Sequence, residues 1–431
     1  MSAIARRQRL LDRLMIAATV AAVVAVPVLG YTGVRAVLDS TGGRDARGDN
    51  LPIQTFPSTP AAAWFVTDDD GGLAAVAVLV LDPSRQGGSL VDLPVNADIG
   101  FVPEARKGLH EVFAEEGVEG AMLGVEALTA VSLEFGFESD AEGVAALLGP
   151  LGTLNVDLAV EVDVPGWSAP LADGVAALDP GTVAAVVTEP AATSAGGFDG
   201  HRANVNAIWT AAAEANGSGS RPAVPDPALP TNQAEFLDRF FAGRVGTRPI
   251  LAEPLDDDDA ATSPSTTVPA GASSSTELVS STSSTTSTTA SGGGAPTTTD
   301  PDDAAASTGD PLVVLDRADA VFVFASIAPG SMSGPAAGLL FRLEAPPGYD
   351  AEVKRTVEVL LYFGGNVVSI DSTIAPRPDT VFIVPDEVNR DEAEATNGIF
   401  GDFSFVEPQV RIDGVDLTVV LGTEYLEGVD A

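Results

Sequence analysis

Four charged residues of this chain are candidates for binding a phosphate or a divalent cation. Asp199 and Arg202 stand at the start of a predicted helix, in the stretch GGFDGHRANVNAIWTAA, and Asp68 and Asp69 follow a predicted strand, AWFV. An arginine fork binds a diphosphate and carboxylates hold a divalent cation, so the pairs are candidates for a phosphate site and a metal site. Structural roles stay open as well: Asp199 as a helix cap, Arg202 as a surface residue, and Asp68 and Asp69 as an acidic turn.

The composition excludes several other kinds of site. The 431 residues include 61 acidic and 22 basic ones, a net charge of −39, and such a surface repels the phosphates of nucleic acid. The chain has no cysteine and only two histidines, His110 and His201, which excludes disulfides, thiolate metal sites and a multi-histidine centre. No nucleophile elbow, phosphate-binding glycine loop or zinc-ligand spacing occurs. We therefore expect no nucleic-acid partner and no cofactor.

Positive charge is concentrated at the N-terminus, in front of a long apolar segment. Four arginines precede residues 14–34, which are 21 consecutive residues without a charge. A helix of this length spans the roughly 30 Å hydrocarbon core of a membrane. Because arginines stay on the cytoplasmic side, residues 1–13 are predicted to be a cytoplasmic tail and the bulk of the chain to be extracytoplasmic. A cleaved signal peptide is the alternative, although no small-residue cleavage site follows the segment.

Two further changes of composition divide the rest of the chain. Residues 35–60 are rich in Gly, Asp and Pro and are predicted to be a stalk. Residues 256–310 begin with four aspartates and continue as a Ser/Thr-rich tract too polar to bury a core, so we expect a disordered linker. Two folded regions are left, 61–255 and 311–431. Residues 313–328 could instead complete the first region, with the linker as an insertion.

Hydrophobic periodicity predicts an α/β sheet domain in the first region. The runs LAAVAVLVLDP (73–83), GSLVDLPV (88–95) and VDLAVEVDV (156–164) are typical of strands, and the first is apolar enough to be buried on both faces. The stretches 140–152 and 201–215 have helical periodicity. A mixture of strands and helices in this order indicates packed layers of the α/β class.

The second region has the same mixture on a smaller scale. Residues 338–371 predict a strand, a helix that ends at Gly364, and a second strand. Residues 379–386 and 414–426 are predicted to be strands, the last with an exposed tail, and a weak helical pattern lies between them. The pattern indicates a small α/β module.

The order of these elements resembles the LytR–CpsA–Psr (LCP) family, the extracytoplasmic enzymes that attach glycopolymers to the bacterial cell wall. LAAVAVLVLDP takes the place of the family's Asp-Thr-led strand, LVDLPVNAD that of its Ile-Pro-Arg-Asp loop, and GGFDGHRANVNAIWTAA that of its Asp-x-x-Arg-x-x-Arg-Gln helix start. Residues 171–187 resemble the segment before its Tyr-Val-Arg-x-Arg strand, and VDLTVVLGTEY resembles the end of the LytR C-terminal domain. The resemblance implies a membrane-anchored, LCP-like α/β sheet domain followed by a small α/β LytR C-terminal-like domain, joined by a disordered linker.

The resemblance also implies a site that this sequence largely lacks. The family's site is a cluster of arginines and carboxylates around the pyrophosphate of a polyprenyl lipid, with Mg²⁺ as its implied ion. The matching positions here hold Ala74, Ala75, Val95, Asn96, Thr188, Pro190 and Val205. Only Asp199 and Arg202 match, while Asp68 and Asp69 are candidates for a relic of the first acidic site. Because no other side chain replaces a guanidinium fork, we expect a degenerate site without catalysis.

We therefore hypothesise a non-catalytic, single-pass envelope protein that binds an envelope glycopolymer, a polyprenyl lipid carrier or a partner enzyme in cell-wall assembly. One alternative is a divergent but active phosphotransferase that moves glycopolymers from polyprenyl-pyrophosphate carriers to the cell wall. Another is a structural tether with two modules on a flexible stalk. A polyprenyl phosphate beside Arg202 favours the active enzyme, and an empty or filled pocket favours the tether.

The arginine asymmetry around residues 14–34 gives a testable topology. A reporter enzyme that works only outside the cytoplasm, fused after Ala431, is expected to be active, because positive charge retains residues 1–13 inside. The matched control carries a reporter that works only in the cytoplasm, fused at the same position. Activity of the second fusion and silence of the first would contradict this topology.

Overall fold

The computed structural model describes most of the chain in two units. The described residues are 51–100, 106–164, 167–191, 194–224, 228–255, 311–333, 338–386 and 389–429. Contacts divide them into one compact unit of residues 60–323 and another of residues 51–59 with 324–429. Among the described helices, none combines the length and apolar character of a membrane span. The predicted span 14–34 and the predicted linker 256–310 lie outside the described residues.

Sixteen strands and ten helices are described. The strands are β1 (Ile53–Gln54), β2 (Ala61–Thr67), β3 (Leu73–Leu81), β4 (Gly88–Leu93), β5 (Phe135–Ser139), β6 (Leu154–Leu158), β7 (Gly174–Leu178), β8 (Val245–Arg248), β9 (Ala252–Pro254), β10 (Val313–Leu315), β11 (Leu340–Glu344), β12 (Asn366–Asp371), β13 (Thr380–Ile383), β14 (Phe403–Val406), β15 (Arg411–Ile412) and β16 (Leu417–Val420). The helices are α1 (Leu109–Thr129), α2 (Ala141–Leu148), α3 (Pro180–Val187), α4 (Gly197–Asn216), α5 (Gln233–Ala242), α6 (Arg317–Ile327), α7 (Asp350–Tyr362), α8 (Arg390–Ala395), α9 (Asn397–Phe400) and α10 (Thr423–Gly428).

The first unit is built on a five-stranded sheet in the order β5-β2-β3-β4-β8. The three central strands are antiparallel neighbours, and the two edge strands pair in parallel. Every residue of β2 and β3 is buried. Successive side chains point to opposite faces, so Trp64 packs on Trp209 of α4 while Phe65 packs on Phe113 of α1. The predicted strand with two buried faces is confirmed, and helices cover both of them.

Helix α4 is the element that carries the candidate arginine, and its predicted apolar side is confirmed. Val205, Ile208, Trp209 and Ala212 are all buried in the core. The helix begins at Gly197, earlier than the prediction of 201, because Gly196 in the left-handed region forms its N-cap. The apolar stripe therefore fixes which side of α4 faces the sheet.

Two other predictions from the sequence need correction, and one helix was not predicted. The predicted strand 156–164 ends at Leu158, because Asn204 of α4 accepts the backbone N–H groups of Ala159 and Val160 at 2.8 and 3.2 Å. The family strand implied after residues 171–187 is not formed. Residues 180–187 are instead helix α3, which Asp179 caps by accepting two backbone N–H groups while proline occupies the first helical position. Helix α1 was missed, since glycines interrupt its apolar periodicity.

The ends of the undescribed stretch 256–310 lead from paired strands. β9 and β10 are antiparallel partners, and both belong to the first unit. The loop after β4 is held by the same segment: Asn96 Nδ2 donates to the carbonyl of Pro311 at 2.5 Å. Residues 311–323 thus pack with the first unit, as in the alternative that makes the linker an insertion.

The second unit has its own sheet, in the order β12-β11-β16-β13-β14. The predicted strand–helix–strand of 338–371 is confirmed as β11, α7 and β12, which form a parallel pair joined by the helix. The strand predicted for residues 414–426 is shorter in the structure, where β16 ends at Val420. The predicted exposed tail is wrong, because the chain continues as the short helix α10, whose Leu426 is buried.

The turn between β3 and β4 generates a stability prediction. Gly87 has φ of 75°, and a Cβ there would lie 2.2 Å from the carbonyl oxygen of Arg244. We expect Gly87→Ala to lower the free energy of unfolding by about 2 kcal/mol or more, from left-handed strain plus the clash. Gly149→Ala is the matched control, since φ is −47° there and a Cβ meets nothing. Denaturant unfolding curves measure both, and equal stability of the two variants would contradict the prediction.

Candidate functional site

The LCP-like motif positions gather around one small cavity in the first unit. It lies where β4 ends, at the loop that follows it, and at the first two turns of α4. Its volume is about 10 Å³, about enough for a single water molecule. The lining residues are Ala74, Ala75, Asp92, Leu93, Pro94, Val95, Asn96, Phe198, His201, Arg202 and Val205.

The centre of this cluster is an ion pair between Asp92 and Arg202. Arg202 Nε donates to Asp92 Oδ2 at 3.1 Å, and Asn206 Nδ2 donates to the same oxygen at 3.2 Å. The Asp92 side chain is only 3% exposed. Burial raises its pKa to about 6, because desolvation of the carboxylate outweighs the opposing effect of Arg202 and its hydrogen bonds. The pair joins β4 to α4 across the unit.

The second arm of Arg202 is also occupied. Its Nη2 donates to the backbone carbonyl of Ile250 at 2.7 Å, and the side chain is 19% exposed. Arg202 is thus partly buried and hydrogen-bonded within the protein. A guanidinium binds a diphosphate by presenting two parallel N–H groups to it. In this chain the Nε and Nη2 donors are directed at the protein's own carboxylate and carbonyl.

Asp199 does not join this cluster. It lies exposed in the first turn of α4, where the N-cap is Gly196 and makes no side-chain hydrogen bond. Asp199 is therefore not the cap either. A carboxylate in the first helical turn is favourable for the helix dipole, so the position has a structural explanation.

Asp68 and Asp69 lie in the turn between β2 and β3. Asp68 Oδ1 accepts the backbone N–H groups of Asp70 at 3.0 Å and Gly72 at 2.7 Å, and Asp69 is exposed. These bonds close the turn, which is the ordinary use of an aspartate between two strands. Neither residue lines the cavity at Arg202.

Most of the remaining motif positions are buried, whereas Pro190 is exposed. Val95, Asn96 and Val205 are buried at the cavity. Thr188 is buried at the end of α3, where its hydroxyl donates to the carbonyl of Ala184 at 2.9 Å. Valine and alanine side chains therefore line the cavity beside Asp92, Asn96, His201 and Arg202.

The side chains that line the cavity do not fit Mg²⁺ as ligands. This ion takes oxygen ligands in near-octahedral geometry, usually with one or two carboxylates. Asp92 is the single carboxylate that lines the cavity, and two side-chain N–H donors occupy its Oδ2. Over the described ranges, no three His, Cys, Asp or Glu side chains are grouped so that they could hold a metal. The arrangement therefore supports no metal-dependent step.

The sequence analysis missed two buried polar residues of this cluster. Asp92 carried a signal, since a carboxylate inside an apolar strand must find a partner. His201 is 2% exposed, its Nε2 lies 3.0 Å from the carbonyl of Ala74, and no partner is found for its Nδ1. Burial lowers the pKa of His201 to about 4, so the ring is neutral at pH 7 and Nε2–H is the donor.

Comparison with known proteins finds similarity in structure only. No family model matches the sequence, and no curated protein matches it. TagV of B. subtilis aligns with 14% identity and a TM-score of 0.36 over 46% of this chain and 87% of TagV. TagT bound to LIIa-WTA aligns with 15% identity and a TM-score of 0.33 over 46% of this chain and 81% of TagT. TagU of B. subtilis aligns with 10% identity and a TM-score of 0.29 over 47% of this chain and 93% of TagU.

These three neighbours are LCP proteins, and each aligns over less than half of this chain with a TM-score below 0.4. The roles of individual residues in this chain follow from its own contacts.

The buried carboxylate gives a prediction about pH. The pKa of Asp92 is about 6 in the folded chain, above its ordinary value of 3.8. The folded state therefore holds this proton more tightly, and the stabilisation it gives is lost as pH rises through about 6. The unfolding free energy of the wild type, minus that of Asp92→Asn, is expected to fall by about 2 kcal/mol from pH 4 to pH 7. Groups common to both proteins cancel, and a pH-independent difference would contradict the prediction.

Proposed function

We propose that this chain is a non-catalytic, LCP-like protein of the cell envelope, in which the pocket of the family has become part of the core. Residues 14–34 anchor it in the cell membrane as a single span, residues 1–13 are cytoplasmic, and the two folded units lie outside. Its role is to hold an envelope glycopolymer or a partner enzyme of cell-wall assembly.

The observation that carries the proposal is the state of Arg202. Two nitrogens of its guanidinium are bound within the protein, Nε to Asp92 at 3.1 Å and Nη2 to the carbonyl of Ile250 at 2.7 Å. A lipid pyrophosphate that bound through these two nitrogens would have to displace both partners and take the guanidinium away from the buried Asp92 carboxylate. Removing the charged partner of a buried ion costs about 3–5 kcal/mol, which disfavours use of this pair of donors for a diphosphate.

Cavity size leads to the same conclusion. A volume of about 10 Å³ is far below the roughly 300–1,000 Å³ of pockets that take small molecules. Loss of one preorganised donor typically slows a reaction about 10²–10³-fold, and several of the family's donors are absent from this sequence. The lining therefore fits packing rather than phosphoryl transfer.

The filled cavity favours a second candidate within the non-catalytic class. A protein that carries a polyprenyl lipid needs an open pocket, whereas a tether needs two folded units and a span. Structural tethering is thus the runner-up to polymer or partner binding, and the lipid-carrier role is the weakest of the three.

The test is a turnover assay on the purified full chain. A glycopolymer on a polyprenyl-pyrophosphate carrier is incubated with it, with and without Mg²⁺ or Mn²⁺, beside TagT as the positive control. We expect turnover at the no-protein background. Arg202→Lys is the matched variant, since it keeps the charge beside Asp92 but removes the fork.

Two outcomes are decisive. Wild-type turnover above background that disappears in Arg202→Lys would establish the active phosphotransferase instead. Equal inertness of both proteins, with circular dichroism showing that both are folded, supports the non-catalytic assignment.

A further inference from the structure

The second unit contains a cleft that the LCP-like site does not involve. Its volume is about 820 Å³, which lies in the range of pockets that bind ligands. The cleft is bounded by α7, by the residues entering β13 and β14, and by α9 and α10. Its lining residues are Arg355, Val359, Pro378, Asp379, Thr380, Gly398, Ile399, Phe400, Gly401, Asp402, Glu424, Tyr425, Gly428 and Val429.

The inner wall of the cleft is apolar and held in place. Phe400 and Tyr425 contact each other with ring centroids 5.4 Å apart. The Tyr425 hydroxyl lies 3.2 Å from Thr356 Oγ1, which itself donates to the carbonyl of Glu352 at 2.8 Å. Tyr425 is therefore the donor in this pair, and its ring is fixed against α7. Val359 adds an aliphatic side chain to the same wall.

The rim of the cleft is acidic. Asp379, Asp402 and Glu424 supply three carboxylates against the single guanidinium of Arg355. All three carboxylate residues are exposed. Carboxylates beside aromatic rings attract a cation, because both present negative potential to it. The same rim repels an anionic polymer or a phosphate.

An open strand edge begins at the cleft. β14 is the last strand in the order of its sheet, with β13 as its one partner in the described sheet. The lining residues Gly401 and Asp402 directly precede it. An extended chain can pair with such an edge through backbone hydrogen bonds while its side chains enter pockets beside the strand. Strand addition distinguishes a peptide from a sugar, which has no such backbone.

The chain's own linker is not a suitable occupant. Residues 256–310 contain neither lysine nor arginine, and they include a run of four aspartates. A segment of that charge is repelled by the acidic rim. A separate, cationic partner is required.

We propose that this cleft binds a peptide segment of an envelope partner that carries lysine or another ammonium side chain. The peptide backbone extends β14, an apolar side chain packs on Phe400 and Tyr425, and the ammonium group lies among the rim carboxylates. This binding involves no glycopolymer transfer and does not require the hydrogen bonds of Arg202, which belongs to the first unit.

The probe is a blocked five-residue peptide of alternating valine and lysine, titrated by calorimetry into the full chain in mild detergent. Matched peptides replace lysine with glutamate, or the central residue with proline. We expect binding of the lysine peptide, loss of binding for the glutamate peptide, and weaker binding at about 0.5 M salt. The proline peptide is expected to bind at least tenfold more weakly, because it cannot complete the strand pairing.

A bulky variant at a glycine that lines the cleft tests this site. A Cβ at Gly428 meets nothing within 4 Å, so Gly428→Phe is expected to fold and to reduce lysine-peptide affinity at least tenfold. Gly149→Phe is the control, at another open position but in the first unit. Asp402→Asn and Glu424→Gln are each expected to weaken binding by about two- to fivefold, as for exposed charge pairs.

Three results would overturn the proposal. One is equal affinity of the wild type and a folded Gly428→Phe variant for the lysine peptide. Another is equal binding of the lysine and glutamate peptides. The third is binding of a glucosamine tetramer without binding of the lysine peptide, which would assign the cleft to an amino sugar.

Discussion

The ion pair of Asp92 and Arg202 is the interaction around which the first unit is organised. Asp92 lies within β4, next to the central strand, where an unpaired carboxylate would be strongly destabilising. Arg202 and Asn206 satisfy it from α4, and the other arm of Arg202 holds the carbonyl of Ile250. Three segments far apart in sequence are thereby fixed together. Because the pair is buried, removing one partner destabilises the fold by more than the pair itself contributes to stability.

The cavity beside the pair is small. The loop after β4 presents no charged side chain to it, and the buried Val95 and Asn96 are part of its lining. Asn96 is bound to the segment that follows the undescribed stretch, which fixes the loop from the other side. The same residues that would form a binding site therefore contribute to the stability of the unit.

The second unit leaves charge exposed at its cleft. Phe382 stacks on Phe403 at 3.9 Å in the core of this unit, while three carboxylates at the rim of the cleft, Asp379, Asp402 and Glu424, remain exposed. A buried ion pair such as that of Asp92 and Arg202 holds two elements together. An exposed carboxylate instead attracts an oppositely charged ligand at a smaller desolvation cost.

Much of the local structure is determined by the sequence alone. β3, α4, α7 and the strands that flank α7 follow from apolar periodicity, which is a property of neighbouring residues. The residue types at the motif positions are likewise a property of the sequence in any fold. Helix α1 was not predicted, because its glycines interrupt the apolar periodicity. Helix α10 was not predicted either, because it has only six residues.

Only the tertiary structure decided what the remaining charged residues do. Asp92 and Arg202 are 110 residues apart, and no local pattern reports a contact over that distance. The same holds for the pairing of β9 with β10, which places residues 311–323 in the first unit, and for the cleft, whose walls come from four separate segments. Local sequence sets which elements form, because propensity and periodicity act within a few residues. Partners of buried charges, strand neighbours and cavities arise only when distant segments compete for the same space in the folded chain.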